Sequence, residues 1–325
     1  MSRSHLHRST TLPWESTGAQ LAPRQSIETW TRSAGMDWSI CSTPVRYLAE
    51  TSDTLGELKG FEDQRVLYRS DTLQALSVVS NRYQVVQPRE VLEFYRDLTE
   101  QSGFELETAG VLKGGRKFWA LARTGKQAAI KSTDVINGYL LLATSCDGSL
   151  ATTATPTTVR VVCSNTLNIA LRDTAGAIKV PHRTSFDAPA VKRQLGVAVS
   201  HWDSFIYRMK ILAGRRVKDG EARKYFRKVM VEASHVAPVD GSSMPANANS
   251  ERSLAKVQEI FDGRGRGAEL AAARGTAWGL LNAVTEFVDH DRRARSAEHR
   301  MDSAWFGQGA QLKQRALDYA LALAD

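Results

Sequence analysis

Two turn-forming pairs, Gly114-Gly115 and Asp147-Gly148, place the tightest constraint on how this chain folds. Each lies between extended runs, "FELETAGVLKGGRKFWALAR" and "YLLLATSCDGSLATTATPTTVRVVC", and each tolerates the positive φ angles that a tight hairpin needs. Upstream, "RVLYRSDTLQALSVVSNRYQVV" alternates extended runs with the turn pairs Ser70-Asp71 and Ser80-Asn81. Pro88 suits the first turn of a helix, "PREVLEFYRDLTEQ", that Gly103 ends, and Ser26 caps a short helix stopping at Gly35. Pro156 removes a backbone donor, so its strand is expected to be interrupted or to lie at an edge there. "SNTLNIAL" reads as a short helix with Ser164 or Asn165 as N-cap.

After "IKVPHRTSF" the strand signals fade, and helical spacing runs over 190–212, 221–233, 250–261, 268–289 and 308–323. The predicted class is therefore α+β: an antiparallel β-hairpin core with helices, followed by a mainly helical C-terminal region. Residues 1–25, rich in Ser, Thr and Arg, are expected to form a disordered N-terminal arm. Residues 26–186 are expected to form the strand-rich domain, with the helical region 187–325 packed on or beside it.

Across 325 residues, 43 Lys and Arg against 35 Asp and Glu give a formal net charge of +8, which favours an anionic partner. Cys41, Cys146 and Cys163 are widely spaced, which argues against a disulfide framework and against a cysteine-rich zinc site. No secretory signal and no membrane-spanning run are recognised, so a cytoplasmic protein without membrane contact is expected.

Enzyme signatures are lacking. There is no GxxxxGK[ST], no GxGxxG between strand and helix, no HExxH and no GxSxG, and no cofactor is expected. "GRGRG" at 263–267 follows a helix and reads as a basic loop. Cys163 lies at a strand-to-helix junction without a patterned histidine and reads as a structural thiol. In "GTAWGLLNAVTEFVDHDRRAR" (275–295), Ala277, Leu280, Leu281, Val284, Phe287 and Val288 form an apolar stripe destined for the core. Trp278 and Asn282 are expected to pack at an internal or subunit interface, and Arg292, Arg293 and Arg295 to extend a basic rim. Glu286, Asp289 and His290 are a metal-site alternative, weighed against an ordinary i,i+4 pair on a helix surface.

Two stretches combine positive charge with aromatic rings. In "LKGGRKFWALAR", Lys113, Arg116 and Lys117 are phosphate-contact candidates, and Trp119, on the same strand face as Lys117, is a candidate stacking platform. In "YRMKILAGRRVKDGEARKYFRKVM", Arg215, Arg216 and Lys218 fall in a loop, and Arg223, Lys224, Arg227 and Lys228 pair along adjacent stripes of the next helix.

"LSVVSNRYQVVQPREVLEF", "ETAGVLKGGRKFWALAR", "CDGSLATTATPTTVRVVCSNTL", "GTAWGLLNAVTEFVDH" and "WFGQGAQLKQRAL" resemble a family of phage/plasmid-like proteins of prophages and conjugative elements, catalogued as a domain of unknown function. The resemblance covers about Trp30 to Ala322. In outline the chain is similar to phage single-strand annealing proteins, and this implies a homo-oligomer holding single-stranded DNA in a basic groove. The expected function is thus a non-enzymatic single-stranded nucleic-acid-binding protein of a mobile genetic element, acting in DNA annealing or recombination. The alternatives are an interaction protein that binds a host factor and a metal-dependent nucleic-acid enzyme.

Overall fold

A computed structural model describes Trp14 and residues 18–20, 25–51, 54–101, 103–160, 163–165, 178–180, 202–231 and 247–325. Residues 166–171 of the expected "SNTLNIAL" helix and the stretch 190–201 of the first C-terminal helix lie outside these residues.

A seven-stranded antiparallel sheet organises the molecule. Strands β5 (Glu105–Leu112), β6 (Lys117–Ile130), β7 (Asp134–Ser145) and β8 (Thr152–Arg160) follow one another as a meander, while β1 (Ala19–Gln20) flanks β5. Gly114 and Gly115, at φ 66° and 101°, turn β5 into β6. Gly148, at φ 74°, belongs to the β7–β8 connection. The outer side of β8 carries β10 (Ile178–Val180) at Thr152–Ala154 and β9 (Cys163–Asn165) at Thr158–Arg160. Pro156 falls in the gap between them, so β8 runs through it unbroken and no described neighbour needs the missing N–H. Ser164 and Asn165, read from sequence as helix caps, belong to β9.

Both faces of this sheet are covered. In β6, Phe118, Ala120 and Ala122 point to one side and Trp119 and Leu121 to the other, and all are buried. In β7, Leu140 and Leu142 alternate in the same way with Tyr139, Leu141 and Ala143. Such near-continuous apolar strands are what a sheet packed on two sides requires.

The first face meets α1 (Ile27–Ser33), α2 (Pro88–Gln101) and a three-stranded antiparallel sheet, through a core that includes Trp30, Leu67, Leu76, Val91, Leu92 and Tyr95. Ser26 caps α1 by accepting from the Thr29 N–H at 3.3 Å. The smaller sheet runs β2 (Ile40–Thr51), β3 (Thr54–Arg69), β4 (Ala75–Ser80). "RYQVV", expected to be extended, forms no strand, and Tyr83 instead donates to the Ser145 carbonyl at 3.1 Å.

The second face meets α3 (Trp202–Gly214), α4 (Asp219–Val231), α5 (Asn247–Glu259), α6 (Ala277–Glu286), α7 (Ala297–Phe306) and α8 (Gln308–Ala324). Trp119, Leu141, Phe205, Phe226, Leu281 and Leu312 share one core, so the C-terminal helices complete the sheet's own hydrophobic interior. Residues 268–276, expected to be helical, form turns, and α6 begins only after Thr276, whose hydroxyl accepts from the Gly279 N–H at 3.1 Å. The short helix α7 was not expected, since Met301, Ala304 and Trp305 are its buried residues among polar neighbours. Within the region expected to be a mobile arm, Trp14 is fully buried, and Ala19 and Gln20 pair with Ala109 and Thr108.

Gly279 marks where α6 is forced against the preceding turn. A Cβ there would lie 2.0 Å from the Ala273 carbonyl oxygen, a backbone atom that cannot swing aside. Gly279→Ala is therefore expected to lower stability by about 3 kcal/mol or more in urea unfolding. In an open helix the same change would raise stability by about 1 kcal/mol, so the sign of the effect checks the packing.

Candidate nucleic-acid interface

The cationic residues singled out in the sequence divide into two groups at opposite ends of the β6–β7 hairpin. Lys117 opens β6, opposite Ser145. Arg216 forms a bridge with Thr276, two residues before Trp278, whose indole reaches Asp134 at the other end of the hairpin. At about 3.3 Å per residue, β7 alone separates these ends by roughly 35 Å.

The first group is largely consumed by internal contacts. The Asp302 carboxylate accepts from Lys117 Nζ at 2.6 Å and pairs with Lys113 Nζ at 2.8 Å. Lys117 is buried, and its ammonium lies 5.3 Å from the Phe306 ring centre. The Lys113 ammonium is held above its usual pKa by the Asp302 carboxylate. Trp119, the expected stacking platform, is fully buried, with the Trp305 ring 5.0 Å away in an edge-on arrangement. The reading fails for Trp119 because β6 is covered on both faces, so a side chain facing away from one core enters the other. Lys113 and Arg116 are both exposed, and Arg116 has no ion pair among the described residues.

The second group stays at the surface. Ala222, Tyr225, Phe226 and Val229 bury the inner stripe of α4, which turns Arg223, Lys224, Arg227 and Lys228 outward. Arg223, Lys224 and Arg227 have no carboxylate within salt-bridge distance among the described residues, and Lys228 lies over the Tyr319 ring at 4.1 Å. In the α3–α4 turn, Arg215 is anchored instead. It donates to the Leu323 carbonyl at 3.0 Å and to Glu221 at 2.8 Å. Glu221 sits below its usual pKa because the Lys218 backbone N–H and the Arg215 guanidinium favour its charged form. Arg216 donates to the Arg274 carbonyl at 2.8 Å, and Lys218 is exposed.

The structure adds residues that sequence reasoning passed over. Trp202, Phe205, Ile206, Met209, Leu212 and Ala213 are the buried stripe of α3. That spacing leaves Tyr207, 66% exposed, facing out with Arg208 and Lys210. The periodicity is present in "WDSFIYRMKILAG". Arg293 and Arg295 are exposed as expected of a rim, whereas Arg292 donates to Ser303 and Gln308 at 3.1 Å each.

Glu286, Asp289 and His290 do not converge on a metal. Glu286 accepts from the Arg266 backbone N–H at 2.7 Å and faces its guanidinium at 3.4 Å. Asp289 pairs with Lys313, both side chains being fully buried. His290 is half-buried one residue further on, and no group of His, Cys, Asp and Glu suited to a metal occurs among the described residues. Beside Glu286 lies a cavity of about 10 Å³ lined by Arg160, Arg266 and Asn282, room for one water and too small for a substrate. Burial pushes the Cys146 thiol up to about 12, so it is protonated at neutral pH and unsuited to nucleophilic work.

The ion-pair assignment has a direct check. Asp289→Asn leaves the Lys313 ammonium buried without its counter-charge, and a loss of about 3–5 kcal/mol is expected. Chemical denaturation should give the same loss with added Mg²⁺ or Mn²⁺ and with a chelator, whereas a metal site would make wild-type stability depend on the ion.

No curated protein matches the chain, and neither does any solved structure. A family model does match, described as a domain of unknown function (DUF932), over residues 75–305. The match opens at Ala75, the first residue of β4, and closes at Trp305 in α7, taking in the large sheet from β5 onward and most of the helical layer. The chain belongs to the DUF932 family, whose members share this domain of unknown function.

Proposed function

We propose that the chain binds single-stranded nucleic acid without catalysis, through phosphate contacts made by the outer face of α4. The observation that carries the reading is the cationic stripe Arg223, Lys224, Arg227 and Lys228, exposed on one helix face with no carboxylate in salt-bridge distance among the described residues. Arg216, Lys218, Arg208 and Lys210 continue the positive charge along the adjoining turn and helix. Tyr207 takes the part first given to Trp119, as an exposed ring on which an unpaired base can stack. The sequence resemblance to mobile-element proteins supports reading this activity as annealing or recombination. The enclosed ion pairs at Glu286 and Asp289 weigh against a metal-dependent nuclease.

Four phosphate contacts to a single strand predict a slope of about −3 for log affinity against log salt. Affinity for a fluorescent oligonucleotide should therefore fall roughly 50-fold between about 50 and 200 mM salt. Replacing Arg223, Lys224, Arg227 and Lys228 by Gln should flatten the slope to near zero. Tyr207→Ala should weaken single-strand binding about tenfold with little effect on duplex. No binding at low salt, or an unchanged slope in the four-fold variant, ends the proposal.

A further inference from the structure

Beyond Pro44 and Arg65, β2 and β3 leave the body as a two-stranded arm. β4 pairs with β3 only from Gln64 to Tyr68, so among the described residues the pairs from Val45–Phe61 to Thr51–Thr54 have no third strand. Strand alternation puts Val45, Tyr47 and Phe61 on one face and Leu48 and Leu58 on the other. Tyr47 is 49% exposed, Leu48 56%, Leu58 59% and Phe61 47%, so apolar side chains meet solvent on both faces. A lone ribbon of this kind is marginally stable in water and offers two unpaired edges. Its charge is mostly negative: Glu50, Glu57, Glu62 and Asp63 are exposed beside Arg46 and Lys59, and Lys59 already pairs with Glu57 at 3.4 Å.

The surface of opposite character on the same chain is the α4 face, with Ile211, 40% exposed, and Tyr207 on the neighbouring helix. Intramolecular closure is blocked. The base of the arm is tied to the first face of the large sheet, where Ser77 donates to the Cys146 carbonyl at 3.1 Å and Arg69 to the Gly114 carbonyl at 3.2 Å. Tyr225, Phe226 and Val229 of α4 belong to the core on the second face. We propose that the acidic, apolar β2–β3 arm of one copy docks on the basic α4 face of a second copy. The contact joins different surfaces of the two copies, so it is head-to-tail and builds a ring or an open filament. The inference stands apart from the nucleic-acid reading, although a bound strand and a docked arm would compete for the same cations.

Sedimentation velocity with the full chain, free of nucleic acid, tests it. Wild type should assemble with rising concentration at low salt and dissociate as salt is raised. Glu50→Lys/Glu57→Lys on the arm, and separately Arg223→Glu/Arg227→Glu on the face, should each weaken assembly at least tenfold. An equimolar mixture of these two variants should reassociate, because each then offers the other a complementary pair of surfaces. Leu48→Ser/Leu58→Ser is a second arm variant that leaves charge unchanged, and unaltered thermal melts show that the body is intact in each. A wild-type chain that stays monomeric up to about 100 µM at low salt overturns the proposal. So does assembly indifferent to the arm variants, or a mixture that fails to reassociate. The monomeric Glu50→Lys/Glu57→Lys variant keeps its α4 face, so its oligonucleotide binding reports on the other reading separately.

Discussion

The contact on which the architecture turns is the buried pair of Asp134 and Arg160. Arg160 Nε donates to Asp134 at 2.6 Å, with both side chains almost wholly removed from solvent. Taking two charges out of water is costly, and the attraction offsets that cost only when the remaining polar atoms are also satisfied. Here they are. The second Asp134 oxygen accepts from the Trp278 indole at 2.9 Å, and the Arg160 guanidinium donates to the Gly267 carbonyl at 3.0 Å. One cluster thus fastens β7, the end of β8, the glycine-rich loop and the first turn of α6. It accounts for two features that local propensity does not explain: the late start of α6 and the path of the arginine- and glycine-rich loop.

The same burial decides which cations remain for a partner. A sheet covered on both faces has no outward side, so a basic aromatic strand such as β6 delivers its lysine and tryptophan to the interior. Lys117 then needs a counter-charge, supplied by Asp302, and Lys113 follows it to the same carboxylate. A helix on the perimeter behaves differently. It buries one stripe and must expose the rest, so α4 keeps its four cations in water. The charge of a helix survives as surface charge, while that of a central strand is absorbed.

What could be read in advance follows this distinction. Ser26, Pro88, Gly103 and the pairs Gly114-Gly115 and Asp147-Gly148 act through local backbone geometry, and the elements they bound appear where expected. α4 and α8 carry their periodicity alone. The arm was invisible because β3 contains Gly56 and Gly60 among acids, and a ribbon solvated on both faces shows no alternation of apolar and polar residues. The fate of Trp119 depended on Trp305, far along the chain, and those of Glu286 and Asp289 on Arg266 and Lys313, which lie in a neighbouring loop and in α8. No spacing rule connects a strand residue to a helix nearly two hundred positions later. Of the candidate residues, the exposure of the helix-borne ones was therefore legible and the burial of the strand-borne ones was not.

An exposed apolar ribbon needs a reason to persist. Edge strands are normally blunted by charge, by proline or by a covering element, because unpaired N–H and C=O groups invite indiscriminate pairing. This arm carries Pro44 at its base and acids along its length, which repel a second arm and so discourage arm-to-arm association. Those acids leave a basic surface as the favoured contact, and the chain displays one on the far side of its own central sheet. Placing attractive surfaces on opposite faces prevents a single chain from satisfying itself. In the proposed assembly, repulsion between like surfaces and attraction between unlike ones would together select a directional, head-to-tail order over a symmetric dimer.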